Sequence, residues 1–184
     1  MKYWWAWLLL ALSLSGEWML LRMWLQKKEY SRYDRIIIQA AETYSLDPSL
    51  IKAVIWKESQ FDTFATGKAG EIGLMQLTDA AAFEWADAAK ITTFEPAHLY
   101  DPTTNTLAGA YYLAKMRRGF TQCDNPIPYA LASYNAGKSQ VLRWRDGSGT
   151  TNATTFIQQI GFPSTKQYVQ AILRQQSKFK ADFE

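Results

Sequence analysis

One cysteine and one histidine are all that this chain of 184 residues holds of either type. Cys123 alone excludes an internal disulfide and says little about redox compartment. His98 and Cys123 do not assemble a zinc site, and no Ser/His/Asp order stands out. No cysteine lies near the N-terminus, which argues against a lipid-modified cysteine anchor. Charge of neither sign dominates: 20 Lys and Arg against 17 Asp and Glu leave a net +3. That excess fits an anionic polymer or a membrane surface, and the absence of a basic cluster gives no reason to expect nucleic acid. No internal repeat or low-complexity tract appears. The length allows one domain with a real core, and aromatic content is high.

Residues 1–25 are a different material. Lys2 precedes an apolar run from Tyr3 to Gly16, and after Glu17 the chain resumes with Trp18-Met19-Leu20-Leu21. The first run has the length of a signal-peptide core, with Ser13-Leu14-Ser15 as a poor cleavage site. Taken through Leu21 it is long enough to span a bilayer, with tryptophans at both ends as interfacial anchors. Both readings, a cleaved signal and an uncleaved membrane anchor (residues 3–25), imply export of the rest of the chain. A polar junction, 26–33, separates this segment from a domain expected over 34–184.

The informative stretch is 47–77. Asp47 can cap a helix, and Pro48 sits where its missing N–H costs nothing. Ile51, Val54, Ile55 and Glu58 recur at i, i+3, i+4 and i+7, one helix face that is apolar until its last member. A carboxyl there loses hydration and faces the negative end of the helix dipole, and both raise its pKa. A carboxyl protonated near neutrality is what general-acid cleavage of a glycosidic bond requires. A helix-end carboxylate turned to solvent is the alternative. Gly67, Gly70 and Gly73 then recur every third residue and suit a tight loop that a second chain can approach closely. Met75 and Gln76 come directly after.

Glu58-Ser59-x-Phe61, then Gly70-x-x-Gly73-Leu74-Met75-Gln76, resembles the catalytic domain of lytic transglycosylases related to goose-type lysozyme. Later segments add to the resemblance. Asp101-Pro102-x-x-Asn105, with Gly109, Tyr112 and Leu113, matches the family's next motif, although by itself it reads as a packing helix with a glycine at a close crossing. Ala132-Ser133-Tyr134-Asn135-Ala136-Gly137, then Val141 and Trp144, matches the one after. Pro163 to Val169 is similar to the closing motif, with Ser164 and Lys166 where the family usually has Glu and Arg. Lys does not reproduce the bidentate geometry of Arg.

The resemblance implies a mainly α, lysozyme-like fold with little or no sheet. It implies cleavage of the β-1,4 bond between N-acetylmuramic acid and N-acetylglucosamine in peptidoglycan, with 1,6-anhydro product, no cofactor and no metal. Glu58 is the expected acid and base, and Tyr134 is expected to hydrogen-bond and orient it. Ser59, Met75, Gln76, Asn135 and Tyr168 are the expected substrate contacts. A hydrolytic muramidase would need a second carboxylate, for which Glu71 is the candidate. A catalytically silent glycan-binding module is the reading from another class.

A helix is expected over 34–45 with Ile37, Ala40, Ala41 and Tyr44 inward, and another after Thr78 or Asp79. Residues 90–100 are expected to be loop-like, with His98 a surface residue. Gly137 stops a helix begun near Tyr129, 146–155 is a polar loop, and one last element spans Phe156 to about Phe179.

Overall fold

The computed structural model describes Trp18, Leu21 and residues 29–184. The apolar stretch 1–25 lies outside the described residues except at Trp18 and Leu21. Among the described residues no helix is long and apolar enough to cross a membrane. Residues 35–184 form one unit.

Helix α1, Asp34–Tyr44, buries Ile37, Ala40 and Ala41, the face its periodicity predicts. Ser45 ends it in a left-handed conformation (φ 53°). Helix α2, Pro48–Ser59, starts where the Asp47 carboxylate accepts the Ser49 N–H at 2.8 Å and the Ser49 hydroxyl at 2.6 Å. Ile51, Val54 and Ile55 are wholly buried. Each such side chain contributes about 1.5–3 kcal/mol of transfer free energy, so this face ties α2 into the core. Gln60 and Phe61 then stop the helix with two successive positive φ values, 52° and 69°. Neither is glycine, and the turn puts the last helical turn at the edge of a cleft.

Lys52 departs from the simple amphipathic picture. It is 1% exposed, yet it lies on the helix that carries Glu58. Its ammonium reaches Asp182 at 2.8 Å and lies 5.2 Å from the ring centres of Phe179 and Phe183. A buried cation needs such partners. The pair fastens the end of the chain to the back of α2.

The remaining helices are α3 (Asp79–Ala88), α4 (Pro102–Arg118), α5 (Ile127–Ala136), α6 (Lys138–Trp144), α7 (Ala153–Gln159) and α8 (Pro163–Phe179). Thr78 caps α3, Asp101 caps α4 and Asn152 caps α7, each accepting a backbone N–H three residues on. Helix α2 packs along α8, and α5 packs between α4, α6 and α8. From Pro128 to Ser133 every residue of α5 is buried, so this helix is the centre of the unit.

Three expectations need correction. The last element is two helices. Phe162, ahead of Pro163, is held extended, and Gly161 lies so close to Trp144 that an added Cβ would fall 2.5 Å from its Nε1. Residues 90–100 are not all loop. Pro96–Tyr100 is a 3₁₀ turn closed by His98, whose Nδ1 accepts the Glu95 N–H at 3.2 Å. Another 3₁₀ turn, Gly147–Thr150, interrupts the polar loop of 146–155. Among the described residues there is no named strand, only isolated antiparallel bridges joining Thr66 to Ile72 and Ile72 to Leu77.

Candidate active site

Those bridges fold 65–77 into a narrow tongue. The Gly67 N–H meets the Glu71 carbonyl at 2.8 Å, and the Gly73 N–H meets the Ala65 carbonyl at 2.9 Å. Gly70 (φ 87°) and Gly73 (φ 79°) take left-handed turns that side chains resist. At Gly73 an added Cβ would also collide with Nδ2 of Asn105.

Asn105 is the anchor of this tongue. It is fully buried on α4. Its Nδ2 donates to the carbonyls of Ile72 (2.8 Å) and Leu99 (2.9 Å), and its Oδ1 accepts the Met75 N–H at 2.8 Å. One amide thus serves three backbone groups. Ser59 adds a tie from the end of α2, donating to the Leu74 carbonyl at 2.8 Å. Tyr134 adds another, donating to the Met75 carbonyl at 2.8 Å.

The tongue, the end of α2 and the end of α5 enclose a cleft of about 350 Å³ lined by Glu58, Gly67, Lys68, Glu71, Gln76, Thr78, Tyr134 and Asn135. A smaller recess beyond Gln76, Thr78 and Tyr134 is closed by Leu77, Ala81 and Tyr112.

Within the cleft Glu58 accepts a 2.5 Å hydrogen bond from the Tyr168 hydroxyl of α8. Burial pushes the Glu58 carboxyl from 4.5 up to about 7. The Tyr168 bond and the charge of Lys57 pull it down, and the charge of Glu71 adds to the rise. Burial also raises the Tyr168 phenol well above its ordinary value, so it stays a donor. With its carboxyl at about 7, Glu58 exchanges a proton near neutral pH. Tyr168→Phe removes the bond that favours the carboxylate. The alkaline limb of the pH–rate profile is then expected to move up by roughly one unit, since a hydrogen bond to a charged group contributes about 1.5–3 kcal/mol. A limb that stays put, measured as kcat/KM against pH, would show that this bond does not tune Glu58.

The side chains named from the sequence do not all meet here. Glu58, Glu71, Gln76, Tyr134 and Asn135 line the cleft. The phenol on Glu58 is Tyr168, not Tyr134, because the Tyr134 hydroxyl points to the Met75 carbonyl. Met75 is not a groove residue by its side chain: it is fully buried, with its sulfur packed against Gly109. Ser59 spends its hydroxyl on backbone carbonyls, at Leu74 and, at 3.2 Å, Ile55. Lys166 donates to the Gln158 carbonyl, and Ser164 is exposed. Glu71 Oε2 accepts the Ala69 N–H at 3.0 Å, so this carboxylate is bound to its own loop. Sequence reading passed over Lys68 and Thr78 as cleft residues and took Asn105 for packing. The signal for Asn105 was a polar side chain four residues after a cap, on a face that must be buried.

The model of the transglycosylase SLT domain matches residues 35–157. This chain belongs to that family. It is 38% identical over 113 residues to a membrane-bound lytic murein transglycosylase F of Desulfosudis oleivorans, covering 60% of this chain and 23% of that protein. It is 33% identical over 122 residues to a membrane-bound lytic murein transglycosylase C of Shigella sonnei, covering 63% and 34%. The chain thus spans a quarter to a third of these relatives. Among solved structures, an inactive mutant of the lytic transglycosylase Slt from Pseudomonas aeruginosa superposes with a TM-score of 0.74 at 28% identity, over 83% of this chain and 24% of that one. The 70-kDa soluble lytic transglycosylase of Escherichia coli also gives 0.74, at 25% identity, over 82% and 24%. The fold is the mainly helical, lysozyme-like fold of these domains.

The matched stretch ends at Ile157, before α8 begins. The matched stretch therefore carries Glu58, the tongue and Tyr134, while the hydroxyl that holds Glu58 lies beyond it, in the segment similar to the family's closing motif.

Proposed function

We propose that residues 34–184 cleave the β-1,4 bond between N-acetylmuramic acid and N-acetylglucosamine in peptidoglycan as a lytic transglycosylase. The observation that carries this is Glu58, a carboxyl raised to about 7 in a glycan-sized cleft and held by one phenol. Glu58 gives its proton to the glycosidic oxygen, and the bond from that oxygen to the muramic anomeric carbon breaks. The acetamido oxygen of the same sugar can steady the electron-poor carbon. The Glu58 carboxylate then takes the proton of the 6-hydroxyl, whose oxygen closes the 1,6-anhydro ring. The proton count returns to its start and no water is consumed.

Glu71 favours a second reading, hydrolysis, because it lines the same cleft. Its oxygen held by the Ala69 N–H makes it a loop carboxylate rather than a base aimed at water. We also place the domain outside the cytoplasmic membrane, with residues 1–25 as leader or anchor.

One experiment tests both points: muropeptide mass spectrometry after expression in a bacterium, with and without residues 1–25. Fragments ending in 1,6-anhydro-muramic acid are expected, and from intact cells only when 1–25 are present. Fragments heavier by one water would assign hydrolysis and promote Glu71. Equal release without 1–25 would overturn the export reading.

A further inference from the structure

Two amides line the cleft, Gln76 and Asn135, and the protein anchors them by opposite ends. Gln76 donates both Nε2 bonds to backbone carbonyls, Ala65 and Gly73, each at 3.0 Å. Its carbonyl oxygen lies beside Gly67, which also lines the cleft, and among the described residues no protein group donates to it. Asn135 is held the other way. Its Oδ1 accepts the Thr165 hydroxyl at 2.7 Å. Among the described residues no protein group accepts from its Nδ2. The cleft wall therefore offers an acceptor at Gln76 and donors at Asn135.

Thr165 decides the second of these. It is 2% exposed, in the first turn of α8, so its hydroxyl must be satisfied inside the protein. Asn135 is exposed and would otherwise turn either end of its amide to the cleft. One turn further along α8, Tyr168 holds Glu58. One helix thus holds both Glu58 and the amide of Asn135.

We propose that Thr165 is a positioning residue that locks Asn135 with its N–H groups toward the cleft, where they bind the carbonyl oxygen of an acetamido-sugar. The acetamido group carries one N–H and one carbonyl, the complement of Gln76 and Asn135. The inference rests on the proposed glycan substrate but not on the cleavage step.

The test is binding of an N-acetylglucosamine tetrasaccharide, measured by calorimetry or NMR titration on the folded protein. Thr165→Val keeps the shape and removes the donor, and should weaken binding about 3- to 10-fold, the range of one neutral hydrogen bond. Thr165→Ser should bind within about twofold of the parent. In an Asn135→Ala background Thr165→Val should cost nothing further, because the amide it acts through is gone. Asn135→Asp leaves Thr165 its acceptor but presents no N–H, and should bind as weakly as Asn135→Ala. This last variant alters only an exposed side chain, so the test survives if Thr165→Val does not fold. In turnover, Thr165→Val should raise KM and leave kcat within about twofold. Parental binding by Thr165→Val or Asn135→Asp, additive losses in the double variant, or no binding by the parent would each overturn the proposal. A parent that binds the tetrasaccharide but releases no peptidoglycan product would overturn the cleavage reading alone.

Discussion

Glu58→Gln is expected to cut peptidoglycan turnover by at least ~10²-fold, the loss typical of removing a general acid. The amide keeps the shape of the side chain and still accepts the Tyr168 hydroxyl, but has no proton to transfer. Glu71→Gln should lose far less and leave the product type unchanged, because Glu71 serves its own loop. The stability of the two forms supplies an independent check. Wild-type Glu58 has its folded pKa raised from 4.5 to about 7, so the folded state binds this proton more tightly than the unfolded chain does. Its contribution is full below the unfolded value and is lost as pH rises through about 7. Glutamine has no such titration. Glu58→Gln should therefore gain stability over wild type on the alkaline side, by up to ~3 kcal/mol, and lose that advantage in acid. Urea unfolding of both proteins at pH ~8 and pH ~4 reads the difference. Near wild-type turnover in the folded variant would refute the acid. Equal, severe losses in Glu58→Gln and Glu71→Gln would support a two-carboxylate mechanism.

Asn105→Leu is expected to have the largest effect on folding. Leucine fills nearly the same volume, so the cavity term is small. What it leaves is the Leu99 carbonyl and the Met75 N–H buried without partners, while the Ile72 carbonyl keeps only the Leu77 N–H. Each group left without a partner costs about 1–3 kcal/mol, so a loss of at least ~2 kcal/mol is expected. That is a large part of the roughly 5–15 kcal/mol typical of a domain of this size. The tongue carrying Glu71 and Gln76 loses its anchor at the same step, and turnover should fall at least ~10-fold even where the protein stays folded. Denaturant unfolding and peptidoglycan turnover measured together check this. A stability change under ~1 kcal/mol would mean that the Leu99 carbonyl and the Met75 N–H find other partners.

The helices were legible because their signals are local. Asp47-Pro48 and Asp101-Pro102 announce starts that the structure uses, and Ile37, Ala40 and Ala41 mark a face that is buried. The break at Gly161-Phe162 was missed, although Pro163 stood there, because the apolar pattern continues across it. The close approach to Trp144 that favours the break is not visible from neighbouring residues. Glu58 was legible through the Glu58-Ser59-x-Phe61 and Gly73-Leu74-Met75-Gln76 motifs, whereas its place at the end of the apolar stripe left a solvent-facing carboxylate open.

By itself the sequence determined the helical class, the capped starts and the family, and it singled out Glu58 as the candidate acid, since each signal lies in short local motifs. Only the tertiary structure decided which hydroxyl serves which partner. Tyr134 and Tyr168 are both buried phenols within the electrostatic reach of Glu58. Nothing in the order of residues says that one turns to Met75 and the other to Glu58, 110 positions away. A phenol's direction is set by how α5 and α8 pack on α2 and the tongue. The same holds for Met75, whose place in the motif suggests a groove residue but whose side chain fills the space that Gly109 leaves open.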